Sequence, residues 1–333
     1  MNEIDSNHST GSNRINSIDI FKGLSIALMV FVNTLSPFDM LPSWTRHASE
    51  YGLTYVDLVA PFFIFMLALN FTVSFKRHLE KDGRLKAYLR HLRRYLIFIG
   101  LGLFMFMDIS ESGLILHWGT LQVLGLSGLL FLPLAEANSL IKVIVGSFYI
   151  ILHQLLLFSS LSTVIFDSIE AGVLGSLSWG AMMVFSSVLA EGLKKDIKWK
   201  YFLLGGSLFL IIGIITSFLW GISRGYMTLP YVFISVGVSS ILYYIIYLIF
   251  EQRERNPIIH NEIILSPSGK NAFLLFLLHI VTLYFFHEII PFSNSLVPGD
   301  MKWMVVISFA LLNTYIILLI GYFLNKKEIY LTI

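Results

Sequence analysis

The side chains best suited to chemistry gather in one short stretch, Trp44, Arg46, His47, Glu50 and Tyr51, followed by Asp57. An imidazole close to two carboxylates has the makings of a general base with an orienting partner. Near neutrality it takes a proton from an amine or hydroxyl, and a carboxylate on its second ring nitrogen fixes the tautomer and steadies the imidazolium. A lone loop histidine is also ordinary surface, and Trp44 and Tyr51 also suit the aromatic belt of a membrane protein. Lys22 and Asn33 form a second constellation. In a helix their spacing is about 1,100° of rotation, roughly 20° off a single face, with a rise of roughly 16 Å, and Met29 shares the stripe. A cation at one mouth and a carboxamide toward the other suit a ligand that keeps its phosphates at one side and sends a long thin arm across, as coenzyme A would. The competing reading has Lys22 snorkelling beside Asp19 and Asn33 hydrogen-bonding a neighbouring helix.

Further polar groups fall inside apolar stretches: His117, Trp118 and Gln122 in one, and Asn271, His279, His287 and Glu288 in another. They either line a pathway or satisfy one another between helices. The basic run from Lys76 to Arg94 serves as a topology signal and lipid contact, with Arg90, Arg93 or Arg94 as candidate phosphate ligands. The sequence contains no Cys, which removes disulfides, thiolate metal sites and a Cys nucleophile, and no metal is expected.

What must position these residues is a membrane bundle. The 333 residues are 56% hydrophobic and 13% charged, against about 25% charged in soluble domains, so a polar surface cannot be built. A net charge of +2 offers no basic face for nucleic acid, which is excluded as a partner. Apolar stretches near the ~20 residues that cross a bilayer number about ten, at 18–35, 55–75, 95–108, 118–135, 140–160, 174–190, 201–221, 230–250, 271–290 and 303–324. The expectation is an all-α polytopic membrane protein with one bundle. Of the 23 Lys and Arg residues, all but Arg46, Arg224 and Lys302 fall on the side of the termini, which predicts both termini in the cytoplasm and the loop 36–54 outside. No removable signal peptide is read, since the polar first 17 residues lead into an apolar stretch without a cleavage pattern. The predicted division is a cytoplasmic tail over 1–17, a transmembrane domain over 18–324 and a cytoplasmic tail over 325–333.

Several separated blocks follow one another in a telling order: Arg14 through Leu24, including Asp19, Lys22 and Gly23, then Met29 through Asn33, Trp44 through Ala48, Gly52 through Thr54, and Asp57 through Phe65. Fainter echoes occur at Gly119 through Gln122 and Gly269 through Ala272. This order of residues resembles the heparan-alpha-glucosaminide N-acetyltransferase family of transmembrane acetyltransferases. The family usually has Arg in place of Lys22 and commonly Arg in place of Val123. The related acyltransferase-3 proteins tend to end their first span with His, where this chain has Asn33.

The resemblance implies a multi-pass enzyme (EC 2.3.1 class) that takes acetyl-CoA from the cytosol as acyl donor and acetylates an amino sugar or glycan on the extracytoplasmic side. His47 would be the general base, Asn33 a donor to the thioester carbonyl, and Asp57 the orienting carboxylate. Coenzyme contacts are assigned to Lys22, Arg14, Arg90, Arg93, Arg94 and Asn271. Acceptor contacts are assigned to Trp44, Glu50, His117, Gln122, His279, His287 and Glu288. Partners are then acetyl-CoA, the glycan, the lipid bilayer and, as an option, a second copy in a homodimer. The expected location is the cell membrane, with a prokaryotic cytoplasmic membrane favoured. The alternative is a secondary transporter or flippase for a small polar solute or lipid-linked sugar, since buried Asn, His and Lys also line translocation routes.

Overall fold

The computed structural model describes residues 14–39, 41–105, 107–110, 113–252, 262–295 and 301–331. Arg253, Arg255 and most of the predicted N-terminal tail lie outside them. The protein is an all-α polytopic membrane protein. Among the described residues the α-helices are α1 (Asn16–Leu35), α2 (Val59–Asp82), α3 (Arg84–Met105), α4 (Thr120–Phe131), α5 (Ser139–Leu156), α6 (Ser162–Phe166), α7 (Gly172–Ala190), α8 (Gly206–Ser217), α9 (Leu229–Phe250), α10 (Leu265–Lys270), α11 (Ala272–Ser295) and α12 (Lys302–Lys326).

Each of the ten predicted stretches contains a helix, and among the described residues eight helices are long and apolar enough to cross a membrane. The other two are α4, which continues as a tighter turn over Leu132–Leu134 but stays short, and α3, whose first half is basic. The expected third stretch ends earlier than its apolarity suggested. Residues Met107–Ser110 and Gly113–Leu116 pair antiparallel as a hairpin, with Met107 opposite Leu116. The alternation Met107, Asp108, Ile109, Ser110 has the period of two that a strand needs, which a hydropathy average hides.

The order of the helices follows from local chemistry. Gly83, at φ +83°, ends α2 in a conformation that costs other residues strain and turns the chain directly into α3. Asn138 caps α5 by accepting the Ile141 N–H at 2.9 Å. α1 is the pivot, packing against α2, α9, α10, α11 and α12, while α2 packs on α7 and α9. The α1–α10 crossing is close enough that a Cβ on Gly23 would lie 2.1 Å from the Leu265 carbonyl oxygen, and one on Gly269 would lie 1.8 Å from that of Asp19. With no hydrophobic drive between helices in lipid, small residues that admit backbone contact hold such crossings together. The buried centre is largely aromatic, with Phe21 edge-on to Phe62, Phe65 and Tyr243 at 5.8 to 6.0 Å.

Candidate active site

His47 lies in the loop between α1 and α2, and its Nδ1 is 2.8 Å from Asp57 Oδ1. The Asp57 side chain has no solvent exposure, whereas that of His47 is 42% exposed. An ionised carboxylate only accepts, so Nδ1 is the donor and Nε2 keeps its lone pair. The second oxygen, Oδ2, accepts Thr54 N–H at 2.8 Å, Thr54 Oγ1 at 3.2 Å and Ala48 N–H at 3.3 Å. The bond from Thr54 N–H is half of a capping box on the turn Tyr55–Leu58 that leads into α2. One carboxylate therefore starts the helix and aims the imidazole.

Asn33, near the end of α1, stands opposite His279 of α11, with Nδ2 3.3 Å from Nε2. The His279 Nδ1 donates to the Phe276 carbonyl, which leaves Nε2 as the acceptor of the Asn33 amide. Asn33, His47 and His279 line one cavity of about 260 Å³, with Met29 and Val32 of α1, Thr120 and Arg224. Arg224 is held by an ion pair with the buried Glu170, and the Tyr231 hydroxyl donates to the Asp57 carbonyl at 2.7 Å.

A second cavity of about 210 Å³ opens toward the opposite end of α1 and is lined by Arg14, Lys22, Arg94 and Lys270, with Asn70 beside them. Asp19 receives both Arg14 and Lys22, the latter at 3.1 Å, so one carboxylate is shared by two of the four cations. His91, one turn before Arg94, adds no charge. Burial first, then the nearby Arg94, His78 and Arg90, push its pKa down to about 3. Arg14 and Lys270 also border a more open depression of about 500 Å³. These first two cavities have two lining residues in common, Phe63 and Phe276, whose rings meet edge to face at 6.4 Å.

The chain resembles the heparan-alpha-glucosaminide N-acetyltransferases. Residues 14–173 match the family model described as heparan-alpha-glucosaminide N-acetyltransferase, catalytic. The heparan-alpha-glucosaminide N-acetyltransferase of Mus musculus is 36% identical over 73 residues, 22% of this chain and 10% of that protein. The one from Homo sapiens is 38% identical over 69 residues, 20% of this chain and 10% of that protein. The aligned part thus spans about a tenth of either relative. The segment matched by the N-acetyltransferase family model supplies Lys22, Asn33, His47, Asp57 and Arg94. Arg224, Lys270, Phe276 and His279, which complete the two cavities, lie beyond it.

Not every nominated residue reaches a cavity. Arg90 turns to His78, at 2.8 Å, and Arg93 is exposed on the face away from Arg94. Asn271 is fully buried next to Lys270 but has no hydrogen-bond partner for its amide. Trp44 stands exposed, with its ring 6.1 Å from Tyr55, and Glu50 is exposed. Gln122 is buried against Gly102 and donates to the His117 carbonyl at 3.0 Å. His117 is exposed at the head of α4. His287 packs on Phe38 at 6.2 Å, and Glu288 is exposed beyond it. None of these lines the His47 cavity or the cationic one. Arg224, Lys270 and the pair Phe63 and Phe276 were not nominated from the sequence. A lone Arg in a poorly charged outer loop and a Lys beside Asn271 are the only signals that pointed toward them.

Proposed function

We propose that the protein is a membrane-embedded acyltransferase that receives acetyl-CoA at its basic end and delivers the acetyl group to an amino sugar or glycan at the opposite, extracytoplasmic end. The observation that carries the reading is the pair of cavities end to end along α1: one ringed by cations, the other holding an oriented imidazole and a carboxamide, with Phe63 and Phe276 in both walls. Arg14, Lys22, Arg94 and Lys270 hold phosphates as charge-assisted partners. Lys22 does so as a point charge, without the fork of the Arg usual in the family.

In the other cavity the acceptor amine attacks the thioester carbonyl carbon and passes its proton to His47 Nε2. The Asn33 amide donates to the carbonyl oxygen as negative charge develops there. The carbon–sulfur bond then breaks, the imidazolium returns its proton to the departing thiolate, and amide and free thiol result. A donor so placed is worth ~3 kcal/mol, and a positioned base roughly 10²- to 10⁴-fold. Asp57 keeps His47 in the basic tautomer throughout, and a hydroxyl acceptor would follow the same steps. The acyl group crosses and the phosphates do not.

The test uses sealed inside-out vesicles given acetyl-labelled acetyl-CoA outside and glucosamine inside. Label on the enclosed sugar, lost with His47→Ala while coenzyme binding persists, supports the transferase. Uptake of unmodified solute without transfer would establish the transporter reading instead.

A further inference from the structure

A third cavity of about 460 Å³ lies beside the His47 loop and differs from the other two in composition. Its walls include Tyr51, Phe158, Phe166, Trp220 and Tyr226. Tyr226 bridges the set, with Tyr51 5.7 Å away edge-on and Phe166 4.5 Å away at a tilt. Gln154 forms the polar part of the wall. It is 94% buried, and its amide oxygen accepts Leu229 N–H at 2.9 Å, which leaves its NH₂ group as a donor for a guest. Aromatic faces with a few fixed hydrogen-bond groups at their edges suit a pyranose ring, whose C–H face packs on the ring systems while its hydroxyls take the polar groups.

One loop contributes to the walls of both the cleft and the reaction cavity. Residues 218–228 supply Trp220 and Tyr226 to the cleft and Arg224 to the cavity that holds His47. That loop is stiffened by Ser223 N–H to Thr228 Oγ1 at 3.0 Å and Tyr226 N–H to Ser223 Oγ at 3.2 Å. It is tied to the His47 loop by Gly52 N–H to the Ile222 carbonyl at 2.8 Å. Gly221 lies under the Tyr51 ring, where a Cβ would be 2.3 Å from Cδ1. Tyr51 follows His47 by one short turn of the same loop, so the cleft and the imidazole keep a fixed separation.

We propose that this aromatic cleft is a saccharide subsite that holds the sugar unit next to the one being acetylated, so that the preferred acceptor is an oligosaccharide and not a free amino sugar. The inference rests on the transferase reading for the acetylated unit, whereas occupancy of the cleft is measurable without any transfer.

The experiment takes the full chain in lipid nanodiscs and measures two things with a β-1,4-linked glucosamine tetramer and with glucosamine. The first is equilibrium binding without acetyl-CoA, and the second is acetyl transfer with it. The wild type is expected to bind the tetramer more tightly than the monomer and to show a lower KM for it. Trp220→Ala is expected to weaken tetramer binding and raise its KM about tenfold, the worth of a lost stacking contact, while leaving transfer to the monomer unchanged. Tyr226→Phe, which keeps the ring, should lose less. Equal affinity of the wild type for the two sugars, or a Trp220→Ala variant that binds the tetramer like the wild type, would overturn the subsite. Tetramer binding that depends on Trp220 with no acetyl transfer to either sugar would support the cleft and overturn the transferase reading alone.

Discussion

Replacing Asp57 with Asn tests the imidazole's role with almost no change of shape. In the folded protein Oδ1 takes the His47 N–H at 2.8 Å, and Oδ2 takes three donors from Thr54 and Ala48. An Asn side chain has one oxygen for these two jobs. Turned so that its NH₂ faced Thr54 and Ala48, it would set donors against two backbone N–H groups in a fully buried spot, so the oxygen must stay there. The NH₂ then faces His47 Nδ1, which becomes an acceptor and moves the ring proton to Nε2, where the base is needed. The expected loss in kcat is the worth of the base, roughly 10²- to 10⁴-fold. Exchanging charge-assisted bonds for neutral ones costs about 1–3 kcal/mol of stability, which the fold can absorb. Coenzyme affinity should hold, because Asp57 lines neither the cationic cavity nor the depression beside it. Steady-state transfer in proteoliposomes gives kcat, a coenzyme titration gives affinity, and size exclusion reports folding. A folded D57N protein with near wild-type kcat would refute the idea that the tautomer of His47 matters.

Asn33→Ala should lower kcat by about 10²-fold with coenzyme affinity intact; a change confined to affinity would place Asn33 in binding instead. Lys22→Ala and Arg94→Ala are each expected to raise the KM for acetyl-CoA by about tenfold or more, the effect of a lost charge-assisted bond, and increasingly so at low salt. Arg93→Ala serves as the control, since that side chain is exposed, and an equal effect from it would show that surface charge and not the cavity binds the coenzyme. Gly269→Ala should destabilise the bundle by about 1–3 kcal/mol or more, because the new Cβ would meet the Asp19 carbonyl oxygen at 1.8 Å. A melting curve unmoved by that substitution would mean that α1 and α10 are not in backbone contact.

Much of the helical layout was legible because bilayer thickness imposes a length on apolar stretches, and each predicted stretch contains a helix. The hairpin after α3 was not, since a hydropathy average does not separate period two from continuous apolarity. In the site, the α1 stripe was readable from helical geometry: Lys22 falls in one cavity, and Met29 and Asn33 in the other. Nearness in sequence served Asp57 but misled for Glu50, because a capping turn draws Asp57 inward and nothing draws Glu50. Arg93 and Arg94 differ by about 100° of helix rotation, enough to place one outside and one in the cavity. Gln122 and Asn271 drew notice as polar groups at depth, yet both are buried clear of the cavities. Arg224 could not be nominated, because its place beside His47 depends on the loop 218–228 folding back through the bond from Gly52 to Ile222.

The physical logic of the arrangement lies in what each cavity leaves out. Taking a phosphate through the hydrocarbon core without matching charge is prohibitive, and moving even one ionised side chain to mid-depth costs several kcal/mol. The cations Arg14, Lys22, Arg94 and Lys270 gather in the first cavity, whereas Arg224, which lines the other, is held by Glu170. Past Lys22 the shared walls are Phe63 and Phe276, which offer nothing to a charge and a good surface to a thin, uncharged chain. The next strong polar groups are Asn33, His279 and His47, roughly 16 Å further along the helix from Lys22. Under the proposed function, a carrier bearing phosphates at one end and a thioester at the tip of a slender arm would be sorted by this gradient without moving as a whole. A free ion or a bulky polar solute meets the two rings first, and a transporter for such a solute would have to part them on every cycle. In the proposed reaction the same pair would let one side of the membrane supply the acyl group while the other supplies the acceptor, with the arm that passes the rings filling the gap it opens.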